Sequence, residues 1–169
     1  MVKFKSIAFA AIAALAFACQ PGVASAQTQV AMEGPDGYTR AMWRGTDGSI
    51  SVWKLDSVLN YVGAHVYGPY AGWSPIALNV IGSTTYILWT HTDGTANIWV
   101  VDANLNFVDS RLFGPVGGWE PYGLGNDYSG NLRLLWKTPA NQVIAWIINP
   151  SLNVITGSPT YGPYFGWHL

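Results

Sequence analysis

The chain has 169 residues, of which 50% are hydrophobic, 14% aromatic and only 10% charged, with a formal net charge of −1. Such a chain carries no basic stripe, which argues against a nucleic-acid partner. Its single cysteine allows no internal disulfide, so burial and hydrogen bonding must hold the fold.

Residues 1–26 read as a secretory signal peptide. Lys3 and Lys5 make a basic start, Ile7 to Ala18 is an apolar run too short to span a bilayer, and Ala24-Ser25-Ala26 is a small-x-small cleavage site before Gln27. Cys19 lies inside this segment. Lipid anchoring there is the lesser alternative, because Leu15 stands four residues before the cysteine rather than three. Cleavage after Ala26 leaves residues 27–169, enough for one domain with a core, and a balance of about −3 after both lysines are lost. No second long apolar run follows, so the expectation is a secreted or periplasmic protein with no membrane span.

The nine tryptophans fall into three sets: Trp43, Trp53, Trp73; then Trp89, Trp99, Trp119; then Trp136, Trp146, Trp167. Sets recur every 46 to 48 residues, a period that marks repeated supersecondary units. The units run over about 27–73, 74–119 and 120–169.

In chain order, the first unit offers Tyr38 to Trp43, the turn Thr46-Asp47-Gly48, the strand Ile50 to Leu55, and the closer Tyr67-Gly68-Pro69-Tyr70-Ala71-Gly72-Trp73. The second begins with a short apolar stretch, Ile76 to Ile81, and a Gly82-Ser83-Thr84 turn. Thr85 to Thr90 is β-branched and aromatic, as strands prefer. Thr92-Asp93-Gly94 then makes a hairpin, since Asp-Gly supplies the positive φ such turns need. Asn97 to Val101 returns, Asp102 to Asn106 turns again, and Phe107 to Phe113 is a fourth strand before Gly114-Pro115-Val116-Gly117-Gly118-Trp119. The third unit repeats this with Leu132 to Trp136, Val143 to Ile148 and Tyr161-Gly162-Pro163-Tyr164-Phe165-Gly166-Trp167, but Thr138-Pro139-Ala140-Asn141 replaces the Thr-Asp-Gly hairpin. Helical periodicity is absent, and the class is all-β.

Three four-stranded antiparallel repeats fit either β-propeller blades or a β-trefoil. Blades are favoured because Tyr86 to Trp89, Ile98 to Val101 and Ala145 to Ile148 do not alternate, as expected of strands covered on both faces. Three blades cannot close a ring alone. The propeller reading therefore implies self-association, most simply a homodimer completing six blades.

The Trp-ending strand, Thr-Asp-Gly hairpin, second Trp-bearing strand and Tyr-Gly-Pro-Tyr-x-Gly-Trp closer together resemble the tryptophan-rich repeats of uncharacterised secreted bacterial proteins. More loosely, the pattern resembles small β-propeller lectins, which implies sugar binding in pockets between adjacent blades.

Catalytic constellations are missing. His65, His91 and His168 occupy three different places in the repeat and share no metal-ligand spacing, and no Gly-x-Ser-x-Gly elbow or phosphate loop occurs. Asp36, Asp47, Asp56, Asp93 and Asp102 sit where Asp holds a turn. No cofactor or metal is predicted. The strand tryptophans Trp43, Trp53, Trp89, Trp99, Trp136 and Trp146 are assigned to packing. The candidate ligand-binding residues are those of the closers: Tyr70, Trp73, Trp119, Glu120, Tyr164 and Trp167. Amphipathic rings on rigid turns can stack on the apolar face of a sugar while polar groups orient it. The function expected is a secreted, non-enzymatic carbohydrate-binding module with a glycan partner; a structural or protein-interaction repeat of the envelope is the alternative.

Overall fold

A computed structural model describes residues 31–167; residues 1–26, expected to be a signal peptide, together with Cys19 and His168, lie outside them. Among the described residues there is no helix, and twelve strands form three separate four-stranded antiparallel sheets. The first sheet holds β1 (Ala31–Glu33), β2 (Thr39–Arg44), β3 (Ile50–Leu55) and β4 (Tyr61–Tyr67). The second holds β5 (Trp73–Ile81), β6 (Thr84–His91), β7 (Ala96–Val101) and β8 (Phe107–Phe113). The third holds β9 (Glu120–Asn126), β10 (Leu132–Lys137), β11 (Val143–Ile148) and β12 (Val154–Gly157). Strand order in each sheet follows chain order. The expectation of an all-β chain in three four-stranded units is met.

Turn chemistry sets the register. Asp47 Oδ1 accepts the Ser49 amide at 3.0 Å and Asp93 Oδ1 the Thr95 amide at 2.8 Å, while Gly48 and Gly94 take φ of 89° and 88°. The third unit lacks Asp-Gly, and Asn141 supplies the left-handed residue instead, at φ 60°. Between the third and fourth strands, Asp56 and Asp102 each accept two amides, from Val58 and Asn60 and from Asn104 and Asn106; Asn149 accepts from Asn153 at 2.9 Å.

β5 begins at Trp73, three residues before the apolar stretch legible in the sequence. Pro75 stands opposite Trp89 and is followed by a bulge. It is tolerated because β5 is an edge strand with no ladder on its other side. Pro121 repeats this opposite Trp136.

The sheets stack face to face through two apolar seams. At the first, Met42, Ile50, Val52 and Tyr67 meet Leu78, Val80, Ile87, Trp89, Val101 and Leu105. At the second, Ala77, Tyr86, Leu88, Ile98 and Phe113 meet Leu124, Leu132, Leu134, Trp136, Ile148 and Leu152. The middle sheet is therefore covered on both faces, and five consecutive residues of β6, Thr85 to Trp89, are buried. The outer sheets are covered on one face each. In β10 burial alternates, as it should for a strand with one covered face.

Side chains lock each seam. The Tyr67 hydroxyl donates to the Leu105 carbonyl at 2.6 Å, and Lys54 Nζ to the Ala103 carbonyl at 2.9 Å. Arg40, fully buried, makes a bidentate pair with Asp36 at 2.6 Å and reaches the Ser83 carbonyl of the next sheet at 3.3 Å. At the second seam Arg111 donates to the Leu152 carbonyl at 3.1 Å, and the Tyr86 hydroxyl to that of Pro150 at 3.4 Å.

Candidate ligand pocket at the first seam

The hairpin joining β6 to β7 places Trp89 directly opposite Asn97. Trp99, two residues further on, shares the face of Asn97, and its ring lies 5.1 Å from that of Trp89 at an interplanar angle of 43°. The loop after β4 brings Tyr70 over this pair, edge-on to Trp89 at 5.6 Å and to Trp99 at 5.3 Å. Gly68 and Gly72 bracket that loop with φ of 83° and 80°. At Gly72 glycine is needed twice over, because a Cβ would also lie 2.5 Å from the His91 ring.

Tyr70, Trp89, Asn97 and Trp99, with Trp73, Ser110 and Leu112, line a cavity of about 330 Å³. Its walls are mainly aromatic. Two polar atoms of the lining residues, Trp89 Nε1 and Asn97 Oδ1, are buried without a hydrogen-bond partner. One is a donor and the other an acceptor. A hydroxyl group brought to them would accept from the first and donate to the second, the chemistry that a polyol on an aromatic platform offers.

Trp73 also walls a second, more polar hollow of about 210 Å³, lined by Arg44, Ser49, Ser74 and Pro75. Arg44 donates to the Pro75 carbonyl, and burial holds its guanidinium below the ordinary value. Behind Trp73 the His91 ring packs at 4.9 Å, its Nδ1 3.0 Å from Asp93 Oδ1. Hydrogen bonds from the Thr95 amide and hydroxyl, then from His91, draw the Asp93 carboxyl down to about 2. Among the described residues no three His, Cys, Asp or Glu side chains converge as metal ligands would.

Of the six candidate residues, Tyr70 and Trp73 come together in this cavity. Trp119 is partly buried against the second seam. Glu120 is exposed beside it and pairs with Lys137 at 3.3 Å. Tyr164 and Trp167 stand exposed beyond β12. The lining residues that the sequence reading does not choose for binding are Trp89 and Trp99, assigned there to packing, and Asn97, Ser110 and Leu112. Asn97 carried a readable signal: it is a polar residue in an apolar strand, set opposite a tryptophan by an Asp-Gly hairpin. Packing accounts for Trp89 and Trp136, both buried, but Trp43 and Trp53 depart from that assignment and are exposed.

The equivalent position at the second seam is filled differently. Trp136 stands opposite Ile144, not an amide, and Val116 replaces Tyr70. Trp136 Nε1 is again buried without a partner, yet no acceptor faces it across the strand pair.

No protein-family model matches the chain, and no curated protein matches it. Among solved structures, a protein of unknown function from Bacteroides caccae is similar over 72% of this chain, with 8% identity and a TM-score of 0.43. The chain spans 42% of that protein's length.

Proposed function

We propose that this is a secreted, non-enzymatic carbohydrate-binding module whose three sheets are propeller-type blades, with its principal site in the cavity at the first seam. The observation that carries the reading is an aromatic cavity walled by Tyr70, Trp73 and Trp99, two of whose lining residues, Trp89 and Asn97, hold a buried donor and a buried acceptor without partners. A buried donor and acceptor without partners are costly, and a ligand hydroxyl that reached them would satisfy both. The blade reading is supported by the first strands: β1 and β9 both lie beside β5, whereas the fourth strands β4, β8 and β12 are largely exposed, a radial order. Export rests on the signal pattern of residues 1–26.

A glycan array followed by fluorescence titration tests this reading. A saccharide ligand should shift Trp emission, and Tyr70→Ala or Asn97→Ile should abolish the response. Absence of any glycan binding, or binding indifferent to both substitutions, refutes it.

The alternative, a protein-interaction repeat, draws on a different observation. Trp43, Trp53 and Tyr61 form an exposed aromatic cluster with ring separations of 5.3 and 5.4 Å. Exposed apolar patches of this kind mark interaction surfaces.

A further inference from the structure

Each seam joins two unlike faces. One sheet presents the face carrying Met42, Ile50, Val52 and Tyr67, or its counterpart; the next presents a tryptophan pair and a turn leucine. The tryptophan pair has nearly the same geometry in all three sheets, with ring separations of 5.3, 5.1 and 5.0 Å. Its surroundings do not match: Trp89 and Trp136 are 1% and 0% exposed, and Trp43 is 56% exposed. The turn leucine behaves alike. Leu105 and Leu152 are 3% and 2% exposed, and Leu59 is 66% exposed.

All three leucines hold a left-handed backbone, at φ of 66°, 61° and 65°. Leucine is poorly suited to that region, where glycine or asparagine is the usual choice. In the two seams its burial offsets the strain. In the first sheet, Leu59 keeps the strain and gains no burial from its own chain.

At the other end of the array, the third sheet leaves the complementary face open. Leu135 stands at the repeat position of Met42 and Leu88, and Tyr161 at that of Tyr67 and Phe113. Tyr161 is exposed, whereas Tyr67 is buried with its hydroxyl on the carbonyl of a turn leucine. Arg133 repeats the position of the seam arginine Arg40 and is likewise paired, with Asp127 at 2.9 Å, although Asp127 stands two positions earlier in the turn than Asp36.

We propose that the open face of the third sheet docks on the Trp43–Trp53–Leu59 face of a second copy of this chain, extending the internal seam head to tail. Tyr161 then donates to the Leu59 carbonyl of the second copy, as Tyr67 does to Leu105. Two copies joined at both ends close a ring of six sheets, since a heterologous contact closes when its rotation allows. The closer residue Tyr164 also repeats Tyr70. It would cover Trp43, Trp53 and Ser51 of the second copy, giving a pocket absent from the single chain. That added pocket rests on the carbohydrate reading; the association does not, and it is measured without sugar.

The experiment is light scattering with size exclusion on the purified protein and on two variants, Trp43→Arg and Leu135→Arg, with circular dichroism to verify that each is folded. The wild type should have twice the single-chain mass and a Trp emission that shifts to the red on dilution. Either variant alone should be a single chain, because each spoils every joint its own copies can make. Mixing them should restore a two-chain species through the one joint that keeps both faces intact. Leu59→Gly relieves the backbone strain and should weaken pairing without loss of fold. A wild type that stays single at about 100 µM, a concentration ample for a micromolar complex, overturns the proposal. So does a dimer that survives Leu135→Arg, which would mean that like faces meet.

Discussion

Trp89 and Asn97 face each other across β6 and β7, and the indole N–H of one and the amide oxygen of the other are both buried without partners. An arrangement that costs stability and lines a cavity invites separation of stability from binding. Asn97→Ile, the residue the third sheet uses at Ile144, removes an unsatisfied acceptor and adds a β-branched side chain in a strand. Urea unfolding should give equal or greater stability, by up to about 1 kcal/mol. Saccharide titration of the same variant should show binding lost.

Repeat position and burial part company at the first tryptophan of each set. Trp136→Ala empties a fully buried site and should cost about 3–5 kcal/mol. Trp43→Ala at the same repeat position should cost less than about 1 kcal/mol in the separated chain, because its ring already meets water. Denaturant midpoints of the two variants, compared at high dilution, check the contrast.

The Arg40–Asp36 pair ties the first turn to the first seam. Asp36→Asn leaves a fully buried guanidinium without its carboxylate and should destabilise by about 3–5 kcal/mol, since a broken buried pair strands a charge. Thermal unfolding measures the loss. Asp127→Asn, whose partner Arg133 is more exposed, should cost clearly less in the separated chain.

Acid should loosen the turns together. Asp36 is held below its ordinary value by the Arg40 guanidinium, Asp47 by the Ser49 hydroxyl, and Asp56, Asp102 and Asp127 by the amides of Asn60, Asn106 and Asn131. For groups depressed in the fold, the unfolded chain binds protons first as pH falls. Their contribution is therefore complete above the ordinary carboxylate value of about 4 and is lost as pH drops through the folded values. Melting temperature should be flat near neutrality, fall below about pH 4, and continue to fall to about 2, where Asp93 titrates. A melting curve that declines instead between pH 7 and 5 contradicts this assignment.

Much of the fold was legible because its signals are local. Asp-Gly hairpins, Trp spacing and Gly-Pro closers each lie within one unit, so three units and an all-β class follow from the residues alone. The start of β5 was not legible, because Pro75 argues against a strand unless the edge position is known. Burial of the tryptophans was legible only in part. Trp43 and Trp89 sit in near-equivalent strands, and only the presence of a neighbouring sheet makes one wet and the other dry. Tyr70 and Trp73 could be chosen from their turn; their partners Trp99 and Asn97 come from strands whose face depends on the stacking.

Among the described residues every backbone ladder is completed inside a single sheet, and the joints between sheets are closed by side chains such as Tyr67, Lys54 and Arg111. Water entering a joint therefore breaks no main-chain ladder. Partial opening should detach whole sheets and leave them internally intact, so that amide exchange divides the chain into three blocks with boundaries at the Gly-Pro loops.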